Sequence, residues 1–206
     1  MRSNLLRFTI VPLSTLVLVG CSLQLPRVKP PRIDVSSAAD GALAAFDADH
    51  DGAISRDESQ ACAGLRDKWQ RYDRDGDDSV SREELEARFS EWTDGDTGLM
   101  NVRAEIVYRR RPLTDAIVKL TPYEFLGENV LAAEGTTDQY GFVFLAIPKS
   151  QLPSLQQGAH GMQIGLYRVS ITHPDIDLPP QYNRQSELSV DLSPADSNTG
   201  IRFVLK

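Results

Sequence analysis

Two windows of twelve residues constrain this chain more than anything else in it. In Asp47-Ala-Asp-His-Asp-Gly-Ala-Ile-Ser-Arg-Asp-Glu58, oxygen-bearing groups recur at positions 1, 3, 5, 7, 9 and 12. They are Asp47, Asp49, Asp51, the backbone carbonyl of Ala53, Ser55 and Glu58. The second window, Asp73-Arg-Asp-Gly-Asp-Asp-Ser-Val-Ser-Arg-Glu-Glu84, repeats the series with Asp73, Asp75, Asp77, the carbonyl of Ser79, Ser81 and Glu84. So many carboxylates so close together repel one another unless a cation sits among them. Hard divalent cations take six to eight oxygens from a curled loop of this spacing.

The pattern resembles a pair of bacterial EF-hands over roughly residues 36–92, and the resemblance implies two calcium sites. Gly52 holds position 6, where the loop turns sharply and a positive φ is easiest without a Cβ. The second loop departs from the pattern by carrying Asp78 there, so its site is expected to be the weaker. Ile54 and Val80 at position 8 predict two short strands that pair with each other. Ser55 with Glu58, and Ser81 with Glu84, have capping-box spacing, so each exit helix should begin inside its loop. Phe46 and Tyr72 end the entering helices, and Leu85, Phe89 and Trp92 form the apolar stripe of the last one. Residues 59–72, divided at Gly64, form either one helix or two short ones. A third acidic stretch, Asp94–Gly98, lacks the necessary oxygens and reads as linker.

After Gly98 the periodicity changes to alternation. Residues 102–108, 116–121, 134–137, 142–147, 166–173, 187–192 and 201–205 read as about seven strands. Residues 109–115 read as a turn, 138–141 as a hairpin turn, and 148–165 as a long loop with one helical turn near Ser150. The order of Arg111-Pro-Leu113, Ala116-Ile-Val-Lys-Leu-Thr121, Gly135-Thr-Thr-Asp-Gln-Tyr-Gly-Phe142, Tyr167-Arg-Val-Ser-Ile-Thr-His173, Pro180-Gln-Tyr182 and Ile201-Arg-Phe-Val-Leu205 is similar to the carboxypeptidase-regulatory, transthyretin-like sandwich. That resemblance spans residues 101–206. It implies a non-catalytic interaction or spacer role and transfers no active-site residues.

The first 33 residues read as address and tether. Arg2 and Arg7 precede the apolar run Phe8–Val19, which is too short to span a bilayer comfortably and describes a secretory signal. Leu18-Val-Gly-Cys21 resembles the lipobox of bacterial lipoproteins, which implies lipidation of Cys21 and export to a membrane-anchored position facing the periplasm or exterior. Residues 21–33 carry Pro26, Pro30 and Pro31, which favour an extended spacer. Arg27, Lys29 and Arg32 there either meet anionic headgroups or are simply solvated. With Cys21 lipidated, Cys62 has no intrachain partner and reads as a small buried helix residue.

The expected organisation is therefore an α+β chain: signal peptide 1–20, tether 21–33, helical EF-hand pair 34–93, linker 94–100 and all-β domain 101–206. Removing residues 1–20, with two arginines and no acid, takes the net charge from −7 to −9. That balance excludes a nucleic-acid surface. No nucleophile elbow, phosphate loop or zinc motif occurs, and His50, His160 and His173 are far apart, so no enzymatic activity is expected. Three roles remain open: a calcium-braced module that binds an envelope polysaccharide or protein, a spacer without a ligand, or a calcium sensor. Exposure of Tyr123, Phe125, Tyr140 or Tyr182 would favour the first of these.

Overall fold

The structure is a computed structural model that describes residues 28–94, 98–154, 157–196 and 200–206. The signal, Cys21 and the first part of the tether lie outside the described residues, as does the centre of the expected linker. No helix among the described residues is long and apolar enough to cross a membrane.

The molecule is α+β, helical first and β-rich second. Helix α1 (Val35–Phe46) starts where the Asp34 carboxylate accepts the Ser37 N–H at 3.2 Å, a side-chain N-cap. Its buried stripe of Ala38, Ala39, Ala42 and Phe46 follows helical spacing. Strand β1 (Ala53–Ser55) lies within the first acidic window, and the exit from that window is broken into short pieces. These are a 3-10 turn at Glu58–Ala61, α2 (Ala63–Asp67) and α3 (Trp69–Tyr72). Strand β2 (Ser79–Ser81) then leads into α4 (Arg82–Thr93), which opens with a complete capping box between Ser81 and Glu84. The stripe expected on α4 is there: Leu85, Phe89 and Trp92 are all fully buried.

The β-rich part consists of two four-stranded sheets. One joins β3 (Val102–Tyr108) to β10 (Ile201–Leu205) in parallel, and to β4 (Arg111–Pro112) and β7 (Phe142–Leu145) antiparallel. The other has the order β6 (Ala133–Thr136), β5 (Ile117–Pro122), β8 (Gly165–Thr172), β9 (Ser189–Leu192), all antiparallel. Alternate residues such as Val102, Ala104 and Ile106 of β3 and Val118 and Leu120 of β5 turn inward to a common core.

The segment 109–115 differs from the expected open turn. Arg109 and Arg110 both take positive φ (48° and 67°), which closes a two-residue hairpin loop and lets β4 pair with β3. Arginines carry no preference for that conformation, so the sequence gives no sign of it.

The helical pair is sutured onto the second sheet. Gly64 of α2 donates its N–H to Ser189 Oγ at 2.7 Å, and a Cβ there would meet Val190 C and Asp191 N at 2.8 Å. On α1, a Cβ at Gly41 would meet Phe125 Cβ at 2.4 Å. An aromatic cluster fills the seam. Phe89 stacks on Trp92 (4.9 Å) and Phe125 (6.1 Å), and Phe46 meets Tyr123 edge-on at 5.5 Å. Arg88 of α4 crosses the seam to Asp191 of β9, both side chains being almost wholly buried. At its rim Lys68 and Arg71 both reach Asp196 at 2.9 Å.

Candidate metal centre

Each acidic window folds into the same backbone figure. The two short strands are antiparallel, with Ile54 opposite Val80 and both side chains fully buried. This pairing fixes the two loops side by side, which is what two apolar position-8 residues imply.

Position 12 organises each loop. Glu58 Oε1 accepts from the N–H of Ala48 (2.6 Å) and Asp49 (3.3 Å), while Oε2 accepts from Ser55 N–H (2.8 Å) and Oγ (2.7 Å). Glu84 repeats this bond for bond with Arg74, Asp75 and Ser81. The hydroxyls at position 9 therefore orient the carboxylates at position 12. For Glu58 the hydrogen bonds, those from Ser55 foremost, hold the carboxyl down at about 2. At Glu84 burial works the other way, but the donors from Arg74, Ser81 and Asp75 outweigh it and the carboxyl is again lowered.

Position 1 differs between the loops. Asp47 Oδ2 accepts the Gly52 N–H at 3.0 Å, but its Oδ1 is buried with no hydrogen-bond partner. Asp73 is fully engaged: Oδ1 takes the Gly76 N–H at 2.7 Å, and Oδ2 takes Trp69 Nε1–H at 2.8 Å and the Asp78 N–H at 3.2 Å. A buried carboxylate oxygen without a hydrogen-bond partner is costly, and Asp47 Oδ1 is placed to coordinate a cation.

Three carboxylates converge in each loop. Ligand oxygens of Asp47, Asp49 and Glu58 lie within 4.8 Å of one another, and so do those of Asp73, Asp75 and Glu84. Two oxygens bound to one calcium at 2.3–2.6 Å are at most about 5 Å apart, so both trios fit a single ion. Asp51 and Asp77 stand outside these trios. Each instead accepts the N–H two residues on, Ala53 at 2.9 Å and Ser79 at 2.8 Å. Ala53 and Ser79 sit at the starts of β1 and β2, and Ser55 and Ser81 at their ends.

A family model described as EF hand matches residues 39–62. The match takes in the last two turns of α1, the whole first loop and the 3-10 turn after it. No curated protein and no solved structure matches the chain at a significant level.

The two acidic loops also share their backbone strain in a way the sequence concealed. Positions 4 and 6 are left-handed in both. The first loop uses His50 (φ 61°) and Gly52 (φ 94°); the second uses Gly76 (φ 78°) and Asp78 (φ 68°). Each loop thus has one glycine and one strained residue, in opposite order, both of types that tolerate this region better than most. Strain at Asp78 alone does not separate the two loops. Arg56, at a position no motif singles out, reaches across from the first loop to the Asp78 carboxylate at 2.8 Å and lies over the Trp69 ring.

Proposed function

We propose that this is an exported, lipid-anchored calcium-binding protein of the bacterial cell envelope, in which the loaded EF-hand pair braces a β-rich interaction module. The observation that carries the calcium reading is the unpartnered buried Oδ1 of Asp47 beside two converged carboxylate trios made only of hard oxygen donors. In the first loop Asp47, Asp49, Asp51, Ser55 and Glu58 would hold the ion with the Ala53 carbonyl. Asp73, Asp75, Asp77, Ser81, Glu84 and the Ser79 carbonyl would hold the second. Calcium, when bound, supplies the positive charge these loops lack. The second site would be the weaker, because Asp73 accepts three hydrogen bonds on its two oxygens where Asp47 accepts one, which leaves less of its acceptor capacity for an ion.

Membrane attachment through lipidated Cys21, the transthyretin-like identity of the two sheets and the absence of catalysis rest on the sequence resemblances. The strand order and the lack of any zinc or nucleophile motif support them. The interaction role over a bare spacer is supported by exposed apolar side chains: Tyr140 is 62% and Phe144 71% exposed. Tyr123 and Phe125 are half-buried and Tyr182 is buried, so they argue less for it.

Calorimetric calcium titration of the full-length chain tests the reading. Two binding events are expected, the first lost in Glu58→Gln and the second in Glu84→Gln. Metal at ten times Kd adds ~1.4 kcal/mol per site to folding stability, so chelation should lower the melting temperature by several degrees. No heat and no thermal shift in millimolar calcium would sink the proposal.

A further inference from the structure

The helical pair covers only one outer face of the two sheets. Leu166 and Asp191, opposite each other on β8 and β9, point out of the second sheet. Gly64 of α2 packs on the first and Arg88 of α4 pairs with the second. The inner faces of both sheets meet in the common core. The outer face of the first sheet therefore lies on the far side from the helices, and its apolar side chains are open: Phe144 is 71% and Val204 55% exposed.

Register gives that face its pattern. Phe144 of β7 stands beside Arg103 of β3, and Phe142 stands beside Glu105, which faces Arg202 of β10. Arg103 lies 4.8 Å over the Phe142 ring. The carboxylates nearby are already engaged. Glu105 pairs with Arg202 at 3.1 Å, and Asp138 accepts the N–H groups of Tyr140 and Phe142 at 2.8 and 3.0 Å. Arg103 makes no ion pair among the described residues, and neither do Arg109, Arg110 and Arg111 on the left-handed hairpin loop after β3. More than half of the 29 acidic residues lie in residues 34–94, so the uncancelled positive charge sits opposite the acidic part of the chain.

The tether is rooted at the start of the same sheet. A Cβ at Gly98 would meet the carbonyl oxygens of Val28 and Lys29 at 2.0 and 2.3 Å, so the tether passes tightly against Gly98. Arg103 follows Gly98 by five residues, and Phe144 is one strand further, which places Phe144 within ~23 Å of that root. Cys21 precedes Val28 by seven residues, a reach of at most ~25 Å when extended. A bilayer that holds acyl chains on Cys21 is thus kept close to the bare face.

We infer that the outer face of the first sheet rests on the anionic phospholipid surface that holds the anchor, with Phe144 entering the interface and Arg103 and Arg109–Arg111 meeting phosphate oxygens. The arginine fork matches phosphate geometry, and an apolar ring is accommodated at the boundary of headgroups and acyl chains. This orientation also turns the acidic loops away from surface charge of their own sign. The inference rests on the lipid-anchored reading and adds to it the face by which the anchored protein lies down.

The test uses the acylated chain, extracted from its own membranes and reconstituted into vesicles in millimolar calcium. Intact-mass analysis reads Cys21 first; an unmodified Cys21 removes the anchor reading and this inference with it. A bimane fluorophore is then attached at Phe144→Cys, where its apolar ring replaces the phenyl, or at Lys119→Cys, exposed on the outer face of the second sheet. Cys62 is buried and does not compete for the label. In vesicles of phosphatidylcholine with phosphatidylglycerol, doxyl-lipid quenching should be strong at position 144 and near background at position 119. The exposed charge reversals Arg103→Glu and Arg110→Glu together should cut quenching at position 144 by roughly fivefold or more, with an unchanged melting temperature and calcium isotherm. Vesicles of phosphatidylcholine alone should do the same. Equal quenching at the two positions, or quenching at 144 that survives the charge reversals, would overturn the docking and leave an acylated Cys21 standing. So would a dimer in sedimentation velocity that already shields the label at 144 before lipid is added.

Discussion

Replacing Asp191 by alanine should do more damage than any change in the acidic loops, although Asp191 is 103 residues from its partner. Arg88 Nη2 and Nε donate to the two oxygens of Asp191 at 2.5 and 3.2 Å, and the side chains are 3% and 0% exposed. Burial disfavours the guanidinium charge, but the adjoining carboxylate outweighs it and holds Arg88 above even its usual high range. Removing that carboxylate leaves the buried cation, between the Tyr72 and Trp92 rings, with only the half-exposed Glu91 at 2.5 Å as an ionic partner among the described residues. Breaking such a pair costs ~3–5 kcal/mol, or roughly 6–20 °C in melting temperature for a domain of this size. The double variant Arg88→Met, Asp191→Leu removes both charges and should recover most of that loss. Urea unfolding at saturating calcium measures all three, followed by far-UV circular dichroism for the sheets and by tryptophan fluorescence for the helical part, since both tryptophans (Trp69 and Trp92) lie there. The two probes should report one coincident transition in wild type. A cost for Asp191→Ala below ~1 kcal/mol, or a double variant as damaged as the two singles combined, would mean the pair does not join the halves.

Three further outcomes follow from the same contacts. Gly64→Ala drives a methyl to 2.8 Å from the backbone of β9 and should cost about 1–3 kcal/mol; an unchanged melting curve would contradict the tight seam. Around Asp196 burial raises the carboxyl, but Arg71, Lys68 and Ser193 outweigh it and hold it well below the usual range. A carboxyl lowered by folding adds stability above its unfolded value of about 3.9, and that stability disappears as pH falls through the folded value. Wild type should therefore lose more stability than Asp196→Asn between pH 5 and pH 2, read as urea midpoints; equal losses would refute the assignment. His50→Gly removes a side chain from a left-handed position and should stabilise the calcium-loaded protein by up to ~1 kcal/mol; a lower midpoint would show that His50 is not strained.

Local features were legible in the sequence, and features set by distant partners were not. Strands β3 and β10 fall at the expected residues because alternation is a property of the strand itself. The capping box at Ser81–Glu84 and the pairing of Ile54 with Val80 likewise follow from spacing within one loop. The exit from the first loop reads as one helix or two, and it breaks into three short pieces. Gly64 must press α2 against β9 there, and that demand comes from the sheet. Arg88 follows Leu85 by three residues and precedes Trp92 by four, so it shares their face of the helix, but only the fold places Asp191 opposite it. Phe144, the most exposed of the large apolar side chains on the described residues, lies in an alternating strand where the sequence gives no cue to which face is covered.

These contacts also bear on what calcium does. A sensor EF-hand pair opens on binding and bares an apolar groove, which requires its helices to be free on that side. Here α1 and α4 have already committed their apolar faces. Phe46 and Phe89 meet Phe125, and Arg88 is locked to Asp191. Opening would separate the aromatic cluster and strand two buried charges, at a cost well above the ~1–3 kcal/mol that ordinary allosteric coupling supplies. On the proposed reading, binding energy at the loops would then reach the seam as stability. Calcium bound as proposed would therefore act as a brace that sets the position of α1 against the sheet rather than as a signal.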